Sequence, residues 1–354
     1  MPRTQRALQT LPADLSAMRL ACCVHLEIKM IVLFEALLAR GAKLFLTTCN
    51  PTTVRDDTVQ WLVAHGATAD ARFGMSASEC DAAIQRALDW QPTHLCEVGG
   101  DLSCALHQRT DVTSVKASLE GTGSGISRLR ALPLRYPVFN CDELPIKEGV
   151  HNRHMVGLTT WHAFFDRTRL SLHERRVLVI GYGAVGRGVA ETARAFGGAV
   201  TIAERDAARA LEAAYAGWHV APLDEAVRAA DVIVTATGAR DVLTAEHFTQ
   251  LRDGAFLLNV GHRADELDLA TLRAYSHHEV QPFIEAFQIG ARTVYLFAGG
   301  SMANLTAGKG DSLNAFDLTL AAFAAAIGHL AGAGAQATPG VHLLPREVWL
   351  PFLR

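Results

Sequence analysis

A glycine-rich segment near the middle of the chain has the residue types and the spacing that hold the phosphates of a dinucleotide. Its glycines, Gly181, Gly183 and Gly186, form the pattern G-x-G-x-x-G. An apolar run at 176–180 precedes them, a helical pattern follows, and the next predicted strand ends at Glu204. In such a unit the glycines allow a tight turn, close approach of the backbone to a pyrophosphate, and close packing of helix on strand. The segment therefore predicts a dinucleotide-binding turn.

The acidic residue at the end of the second strand predicts which dinucleotide is bound. A carboxylate at Glu204 can accept hydrogen bonds from the hydroxyls of an adenosine ribose, whereas it would repel a 2′-phosphate. The sequence therefore favours NAD over NADP, although Arg205 follows directly. A glycine-rich turn without a ligand is the competing interpretation, and it leaves the agreement of strand, helix and acidic residue unexplained.

Strands and helices that alternate along the chain must position this turn. Short apolar runs bounded by turn residues predict strands, and the segments between several of them have helical periodicity. The predicted strands are 19–25, 43–47, 93–96, Arg176–Ile180, Ala199–Ala203, Val232–Thr235, 255–259 and 294–297. This alternation is typical of an α/β protein with parallel sheets.

The composition narrows the classes of partner. The chain has 354 residues, 49% of them hydrophobic, and a net charge of −3 without an acidic or basic block, so neither nucleic acid nor a membrane surface is an expected partner. The seven cysteines include no C-x-x-C pair, which predicts reduced thiols in a cytoplasmic protein and no metal. The longest apolar segment, 318–330, is shorter than a bilayer requires. We therefore expect a small-molecule substrate.

Segments spread over the chain, from about Leu15 to Pro345, together resemble the S-adenosyl-L-homocysteine hydrolase family in their order and spacing. A single short motif would be weak evidence, but agreement of so many motifs by chance is improbable. The segments are 22–26, 48–50, 99–102, 122–125, 147–152, 181–188, 235–238, 259–262, 304–305 and 340–342.

The resemblance implies an α/β architecture of two Rossmann-like domains with parallel sheets. An NAD-binding domain at 154–307 is expected to be inserted into a discontinuous substrate domain at 1–153 and 308–340, followed by a short C-terminal tail at 341–354. A homo-oligomer, either a dimer or a tetramer, is also implied. The family's C-terminal arm, which reaches into the NAD site of a neighbouring subunit, has no counterpart after Arg354.

The resemblance further implies a hydrolysis that proceeds through transient oxidation. A hydride passes from the 3′-carbon of a nucleoside to NAD, the ketone acidifies the C4′ proton, the 5′-thiol is eliminated, water adds, and the hydride returns. Lys147 matches the family lysine beside the 3′-hydroxyl, where a group must accept the hydroxyl proton. His25 and His262 match family histidines near the 5′ end, where acid–base work is needed. His151 could orient the hydroxyl or relay its proton.

The cofactor positions of the family are largely retained. Asn152 matches the family asparagine beside the nicotinamide. Many of the retained residues follow predicted strands, which is where ligands of α/β proteins bind. The glycine-rich turn and the resemblance together assign to NAD the residues Thr122, Gly123, Ser124, Asn152, Gly181, Gly183, Ala184, Val185, Gly186, Arg187, Gly188, Glu204, Thr237, Gly238, Val260, Gly261 and Asn304.

The substrate pocket departs from the family at its acid–base and ribose positions. The family has catalytic aspartates where this chain has Val98 and His151. It has a ribose-binding glutamate where this chain has Gly121, and a histidine where this chain has Asp311. A buried polar group left without its partner costs about 1–3 kcal/mol, so we expect adenosine to bind less well than in the family.

The base-contacting positions also differ. The family's adenine-contacting threonine and glutamate are replaced by Glu27 and Lys29, a pair that could bind a different base or no base. Together with Asp311, these residues are assigned to an altered substrate site. We therefore predict that S-adenosyl-L-homocysteine is turned over poorly or not at all.

Three functions remain open at this point. The first is an NAD-dependent enzyme that oxidises a ribosyl 3′-hydroxyl of a nucleoside or thioether nucleoside, with elimination or hydrolysis at the 5′ position. The second is a dehydrogenase or epimerase of a nucleoside or sugar that oxidises without hydrolysis, which the loss of a carboxylate at Val98 favours. The third is a catalytically silent, NAD-binding regulatory homologue. Retention of Lys147, Asn152 and His262 together with the glycines argues against the third.

Overall fold

Two sheets organise the chain in the computed structural model, which describes residues 1–262 and 264–353. Each sheet belongs to its own compact unit. Unit 1 consists of Met1–Glu148 and Leu313–Arg354, and unit 2 consists of Gly149–Ser312. The divisions therefore fall at 148/149 and 312/313, a few residues from the domain limits of 153/154 and 307/308 that the resemblance implies.

Unit 1 is built on a sheet in which every strand pairs parallel to its neighbours, in the order β15-β6-β5-β4-β1-β2-β3. Its strands are β1 (Arg19–Val24), β2 (Lys43–Thr48), β3 (Thr68–Ala69), β4 (His94–Glu97), β5 (Ala117–Glu120), β6 (Pro137–Asn140) and β15 (Gly340–Leu343). Its helices are α1 (Pro2–Gln9), α2 (Ile31–Leu38), α3 (Asp56–Ala64), α4 (Ala77–Asp89), α5 (Asp101–His107), α6 (Gly123–Arg130), α14 (Leu313–Leu330) and α15 (Arg346–Trp349). The central strands are buried on both faces, as parallel sheets covered by helices require.

Unit 2 is built on a sheet with the order β12-β13-β14-β11-β10-β7-β8-β9. Its strands are β7 (Arg176–Ile180), β8 (Ala199–Ala203), β9 (His219–Val220), β10 (Val232–Thr235), β11 (Phe256–Asn259), β12 (Ser276–Gln281), β13 (Ile284–Ile289) and β14 (Arg292–Phe297). Its helices are α7 (Val156–Thr168), α8 (Ala184–Ala195), α9 (Ala207–Tyr215), α10 (Leu223–Ala229), α11 (Ala245–Phe248), α12 (Leu269–Arg273) and α13 (Ala303–Thr306). The order of β9, β8, β7, β10, β11 and β14 is that of a Rossmann domain.

The second sheet is mixed, whereas the sequence predicted parallel sheets throughout. β13 pairs antiparallel with both β12 and β14. The connections between these strands are tight turns, and such turns can join only antiparallel neighbours because a parallel pair needs a crossover of a dozen or more residues. All residues of β12 are exposed, so it lacks the apolar run by which the other strands were predicted.

The C-terminal segment is part of unit 1. β15 pairs with β6 through Val341 and Val138, and the segment predicted as a tail begins inside this strand. Beyond the strand, Trp349 and Phe352 are buried in the core cluster of unit 1. The segment therefore completes the first sheet and its core.

The long apolar helix α14 extends further than the predicted segment at 318–330. It has 18 residues with a mean hydropathy of 1.4, which is long and apolar enough to cross a membrane by length and composition, and 67% of it is buried within the protein. Asp317 within it is buried and accepts hydrogen bonds from the amide and hydroxyl of Thr4 on α1. A buried acidic residue with partners on a neighbouring helix is typical of a core helix.

Candidate functional site

The glycine-rich turn between β7 and α8 is closely packed at Gly181 and Gly186 and open at Gly183. Gly181 has a φ of +98°, and a Cβ there would lie 2.7 Å from the carbonyl oxygen of Ala236. A Cβ at Gly186 would lie 1.9 Å from the carbonyl oxygen of Gly181, which is the close packing that the sequence predicted. Among the described residues, no atom lies within 4 Å of a Cβ placed at Gly183. The open side thus faces the start of α8, where helix N–H groups bind phosphate.

Glu204 lies beside this turn. Its Oε2 accepts a hydrogen bond of 2.7 Å from the amide of Tyr182, and its Oε1 accepts one of 2.9 Å from the amide of Asp206. The carboxylate thus joins the end of β8 to the glycine-rich turn, in the place where a ribose-binding acid is expected. Arg205, the neighbour that weakened the preference for NAD, is exposed.

Two residues that the sequence assigned to NAD have other partners. The guanidinium of Arg187 forms two hydrogen bonds of 2.5 Å to Glu212 on α9 and lies 4.7 Å from the ring centroid of Tyr182. A Cβ at Gly188 would lie 1.4 Å from the carbonyl oxygen of Arg153, so this glycine permits close packing within unit 2. The neighbouring Ala184 and Val185 form the first turn of α8.

Asn304 has a buried acceptor that suits the nicotinamide. It lies on α13, it is 1% exposed, and its Oδ1 receives no hydrogen bond from any described residue. A buried amide oxygen without a donor is rare in folded proteins, and the carboxamide N–H₂ of a nicotinamide would supply one. The open turn at Gly183, the carboxylate of Glu204 and this acceptor together fit the three parts of NAD.

His151 and Asp311 form a pair in unit 2. His151 Nε2 lies 2.7 Å from Asp311 Oδ2, and the side chains are 4% and 9% exposed. Asp311 Oδ1 also accepts a hydrogen bond of 3.4 Å from the hydroxyl of Thr159 on α7. The resemblance places an aspartate at the first position and a histidine at the second, so the two residue types have exchanged places. The sequence named His151 as a residue that could orient the hydroxyl or relay its proton and Asp311 as part of the substrate site, and it did not predict their contact.

Lys147 and Asn152 lie on an irregular helix. The segment Lys147–Met155 is a π-helix that also contains His151, and it runs from the end of unit 1 into unit 2. π-helical turns are rare and occur frequently at functional sites. The predicted catalytic residues are thus divided, with His25 and Lys147 in unit 1 and His151 and His262 in unit 2.

His25 follows β1 and is held by residues of the β2 loop. Its Nδ1 lies 2.8 Å from the hydroxyl of Thr53 and 3.6 Å from the thiol sulfur of Cys49. Burial raises the pKa of the Cys49 thiol well above its usual value, so the thiol stays protonated at neutral pH. The Thr53 hydroxyl and the Cys49 thiol therefore both lie against His25 Nδ1 and orient the imidazole.

Glu27 and Lys29 form a buried ion pair. Lys29 Nζ lies 3.1 Å from Glu27 Oε2, and the side chains are 6% and 13% exposed. The same ammonium lies 4.9 Å from the ring centroid of Phe316 on α14. The pair therefore places one hydrogen-bond donor and one acceptor side by side, with an aromatic ring near the ammonium.

The position of the family's ribose-binding glutamate is closed by an aromatic ring. A Cβ at Gly121 would lie 2.4 Å from Cζ of Phe323 on α14. Val98, in place of an aspartate, packs against the core cluster of unit 1. Apolar packing thus occupies both positions at which the resemblance implies a carboxylate.

Two buried carboxyls were not predicted from the sequence. Glu97 and Glu120 end the neighbouring strands β4 and β5 and have no exposed surface. Glu120 accepts hydrogen bonds from the amides of Gly99 and Thr122, and from the Thr122 hydroxyl. Thr122, assigned to NAD, also caps α6 by accepting from the amide of Gly125, and Gly123 and Ser124 form the first turn of that helix.

Comparison with known proteins gives a consistent result. A family model described as S-adenosyl-L-homocysteine hydrolase matches residues 4–129, and one described as the NAD binding domain of that enzyme matches 165–310. The chain is 34% identical over 343 residues to an S-inosyl-L-homocysteine hydrolase of Methanosarcina mazei, covering 94% of this chain and 83% of that protein. It is 34% identical over 343 residues to an adenosylhomocysteinase of Thermotoga maritima, covering 94% of this chain and 85% of that protein.

Solved structures add little. Dipicolinate synthase A chain from Bacillus subtilis aligns with a TM-score of 0.46 at 15% identity, over 92% of this chain and 98% of that one.

Proposed function

The chain belongs to the S-adenosyl-L-homocysteine hydrolase family, and from this premise we propose that it cleaves the 5′-thioether of a nucleoside through transient oxidation of the 3′-hydroxyl. The cofactor is NAD, and the substrate is a small molecule. The observation that carries the proposal is the contact between His151 and Asp311. Random drift would leave one altered residue without its partner, whereas here both have changed and the 2.7 Å contact is made.

The residues of the chain would carry the proton transfers of this reaction. Bound NAD would supply the hydride acceptor and return the hydride at the end. Lys147 would accept the proton of the 3′-hydroxyl, and the His151–Asp311 pair would orient this hydroxyl. His25 and His262 would serve the 5′ end, where the thiol leaves and water adds. Val98 offers no carboxylate, so proton transfer depends on the lysine and the histidines.

We propose that the base of the substrate is a 6-oxopurine. The resemblance places an adenine-contacting glutamate at position 29, and the exocyclic amino group is the hydrogen-bond donor with which adenine can meet a carboxylate. Lys29 has donors and no acceptor, so it would oppose that amino group and would suit the O6 acceptor of hypoxanthine. Glu27 can accept from the N1–H of the same base. Relatives of this chain include S-inosyl-L-homocysteine hydrolases, whose name specifies this base.

The test compares S-inosyl-L-homocysteine with S-adenosyl-L-homocysteine, with thiol release and the absorbance of reduced NAD as the two measurements. We expect cleavage of the inosyl compound, and of the adenosyl compound at least about tenfold more slowly, since a bidentate hydrogen-bond pattern discriminates between bases by about 1–3 kcal/mol. The double variant Glu27→Thr/Lys29→Glu should move the preference towards the adenosyl compound. Lys43→Glu, at an exposed lysine of unit 1, is the matched control and should leave it unchanged.

The outcomes separate the two parts of the proposal. Faster cleavage of the adenosyl compound would contradict the assignment of the base and leave the reaction in place. Absence of both thiol release and NAD reduction with either compound would contradict the reaction itself. Reduction of NAD without thiol release would support the dehydrogenase or epimerase, a second candidate that the apolar packing of Val98 favours.

We also propose a cytoplasmic homo-oligomer, either a dimer or a tetramer. All seven cysteines are free thiols, which supports a reducing compartment. Light scattering of the purified protein would give the oligomeric state. A monomeric mass at micromolar concentration would contradict this part of the proposal.

A further inference from the structure

A carboxylate with no exposed surface lies beneath the turn that follows β10. Glu266 Oε2 accepts hydrogen bonds of 2.9 Å from the amide of Thr237 and 2.7 Å from its hydroxyl. Glu266 Oε1 accepts one of 2.7 Å from the amide of Gly238. These donors all belong to the turn at 237–238, so one side chain fixes the path of that turn.

The same carboxylate supports the turn that follows β11. A Cβ at Gly261 would lie 1.7 Å from Glu266 Oε1 and 2.7 Å from its Cδ, so the backbone of this turn rests directly on the carboxylate. The amide of Gly261 donates to Asn259 Oδ1 at 2.8 Å, which also accepts from the hydroxyl of Thr235 at 3.1 Å. The ends of β10 and β11 are therefore joined through buried side chains, and Glu266 lies between their turns.

The backbone holds Glu266 in this position. Its carbonyl oxygen accepts from the amide of Val242 at 2.8 Å and from the amide of Leu243 at 3.1 Å. A bridge between Leu243 and Leu267 continues this pairing. These backbone hydrogen bonds fix the position of Glu266, and its carboxylate oxygens contact the two turns.

The order of the strands indicates which part of NAD these two turns contact. In a Rossmann sheet the dinucleotide crosses the edge at the point where the strand order reverses, here between β7 and β10. Glu204 at the end of β8 lies on the adenosine side. β10 and β11 lie on the other side, so their turns face the nicotinamide half.

We propose that Glu266 is a positioning residue for the nicotinamide half of NAD, acting through the turns at Thr237–Gly238 and Gly261–His262. The inference depends on NAD binding and not on the identity of the substrate. A carboxylate is required because hydrogen-bond donors from the turn converge on its two oxygens. A glutamine would present its own N–H₂ to an amide N–H, and one hydrogen bond would become a repulsive contact.

The test measures binding of NAD and of ADP-ribose to Glu266→Gln by calorimetry. ADP-ribose retains the adenosine and the pyrophosphate and lacks the nicotinamide. We expect the affinity for NAD to fall by about tenfold or more, as for loss of a buried hydrogen bond to a charged group, and the affinity for ADP-ribose to stay within about twofold. Asp265→Asn, at a neighbouring acid that forms a partly exposed ion pair with Arg240, is the matched control and should change neither.

A second variant keeps the test decisive if the glutamine substitution prevents folding. Gly261→Ala would push the Cβ against the carboxylate and should give the same selective loss of NAD. Glu204→Ala, on the adenosine side, should weaken both ligands. An unchanged affinity of Glu266→Gln for NAD, or equal weakening of NAD and ADP-ribose, would overturn the assignment to the nicotinamide half.

Discussion

His151 Nε2 lies 2.7 Å from Asp311 Oδ2, and the two residues are 160 positions apart in the sequence. Because a carboxylate only accepts hydrogen bonds, the imidazole N–H is the donor of this contact. The correspondence that the resemblance implies would make this contact an exchange of residue types relative to the family, with one acidic and one basic partner kept. The carboxylate of Asp311 is therefore the partner that orients the imidazole of His151.

The exchange predicts strong coupling between the two positions. His151→Asp would set two carboxylates against each other, and Asp311→His would set two imidazoles together, so each single variant should lose stability and NAD reduction. The double variant should recover both, with a coupling energy on the order of 0.5–3 kcal/mol in a double-mutant cycle of thermal unfolding. If the effects of the two single variants simply add in the double variant, the contact between His151 and Asp311 contributes nothing to stability. His151→Asp by itself should not increase hydrolysis of S-adenosyl-L-homocysteine, since Val98 and Gly121 remain.

Lys147 is predicted to be required for oxidation and not for cofactor binding. Lys147→Met removes the group that accepts the hydroxyl proton while keeping the length of the side chain. We expect loss of substrate-dependent reduction of bound NAD, measured by absorbance, with an NAD affinity within about twofold of the original, as for a residue outside the cofactor contacts. Lys116→Met, at an exposed lysine of unit 1, is the control. Reduction of NAD by Lys147→Met at the original rate would show that the lysine has only a structural role in its helix.

Glu204 is predicted to set the choice between NAD and NADP. The carboxylate accepts from Tyr182 and Asp206 at the mouth of the glycine-rich turn, so a 2′-phosphate there would meet a negative charge. The original protein should prefer NAD by at least about tenfold, and Glu204→Ala should weaken NAD binding and reduce the preference. Competition binding with both cofactors measures this directly. Equal affinities in the original protein would contradict the prediction.

The contact between Gly121 and Phe323 predicts a steric effect on stability. Gly121→Ala would place a Cβ 2.4 Å from the ring and should lower the free energy of unfolding by about 1–3 kcal/mol, as overpacking does. Phe323→Leu in addition should recover part of the loss. Thermal unfolding measures both, with Gly149→Ala as a control, because a Cβ there meets no described atom within 4 Å. An identical loss in the presence and absence of Phe323→Leu would exclude the ring as its cause.

The buried carboxyls of Glu97 and Glu120 predict that stability falls as the pH rises. Burial raises the pKa of Glu97 from 4.5 to about 7, and burial together with the Glu97 charge raises the pKa of Glu120 to about 8. Above pH 4.5 the unfolded chain releases protons that the folded protein keeps, so the free energy of unfolding declines with increasing pH. The stabilisation that the protonated carboxyls provide is therefore fully present below pH 4.5. It is lost as the pH rises through the folded-state pKa values of about 7 for Glu97 and about 8 for Glu120.

Urea unfolding across this range tests the effect, which for each carboxyl is at most about 1.4 kcal/mol per pH unit. The double variant Glu97→Gln/Glu120→Gln should flatten the dependence. An unchanged slope in this variant would assign the pH dependence to other groups.

The sequence alone determined the features that one short segment encodes. The turn at Gly181–Gly186 and the acid at Glu204 lie within a single β-α-β unit, so their spacing in the chain fixes their spacing in space. Continuous apolar runs such as Arg176–Ile180 likewise identified the buried parallel strands. β12 was missed because its residues are exposed and carry no such run.

The tertiary structure decided which distant residues are partners. Two pairs of contacting residues are far apart in the chain. The fold of unit 2 brings His151 to Asp311, and the packing of α14 brings Phe323 to Gly121. Glu266 is an unremarkable acid in the sequence, and its role follows from burial between two turns at the sheet edge. Such contacts depend on where whole elements pack, and a pattern of residue types along one chain does not contain that information.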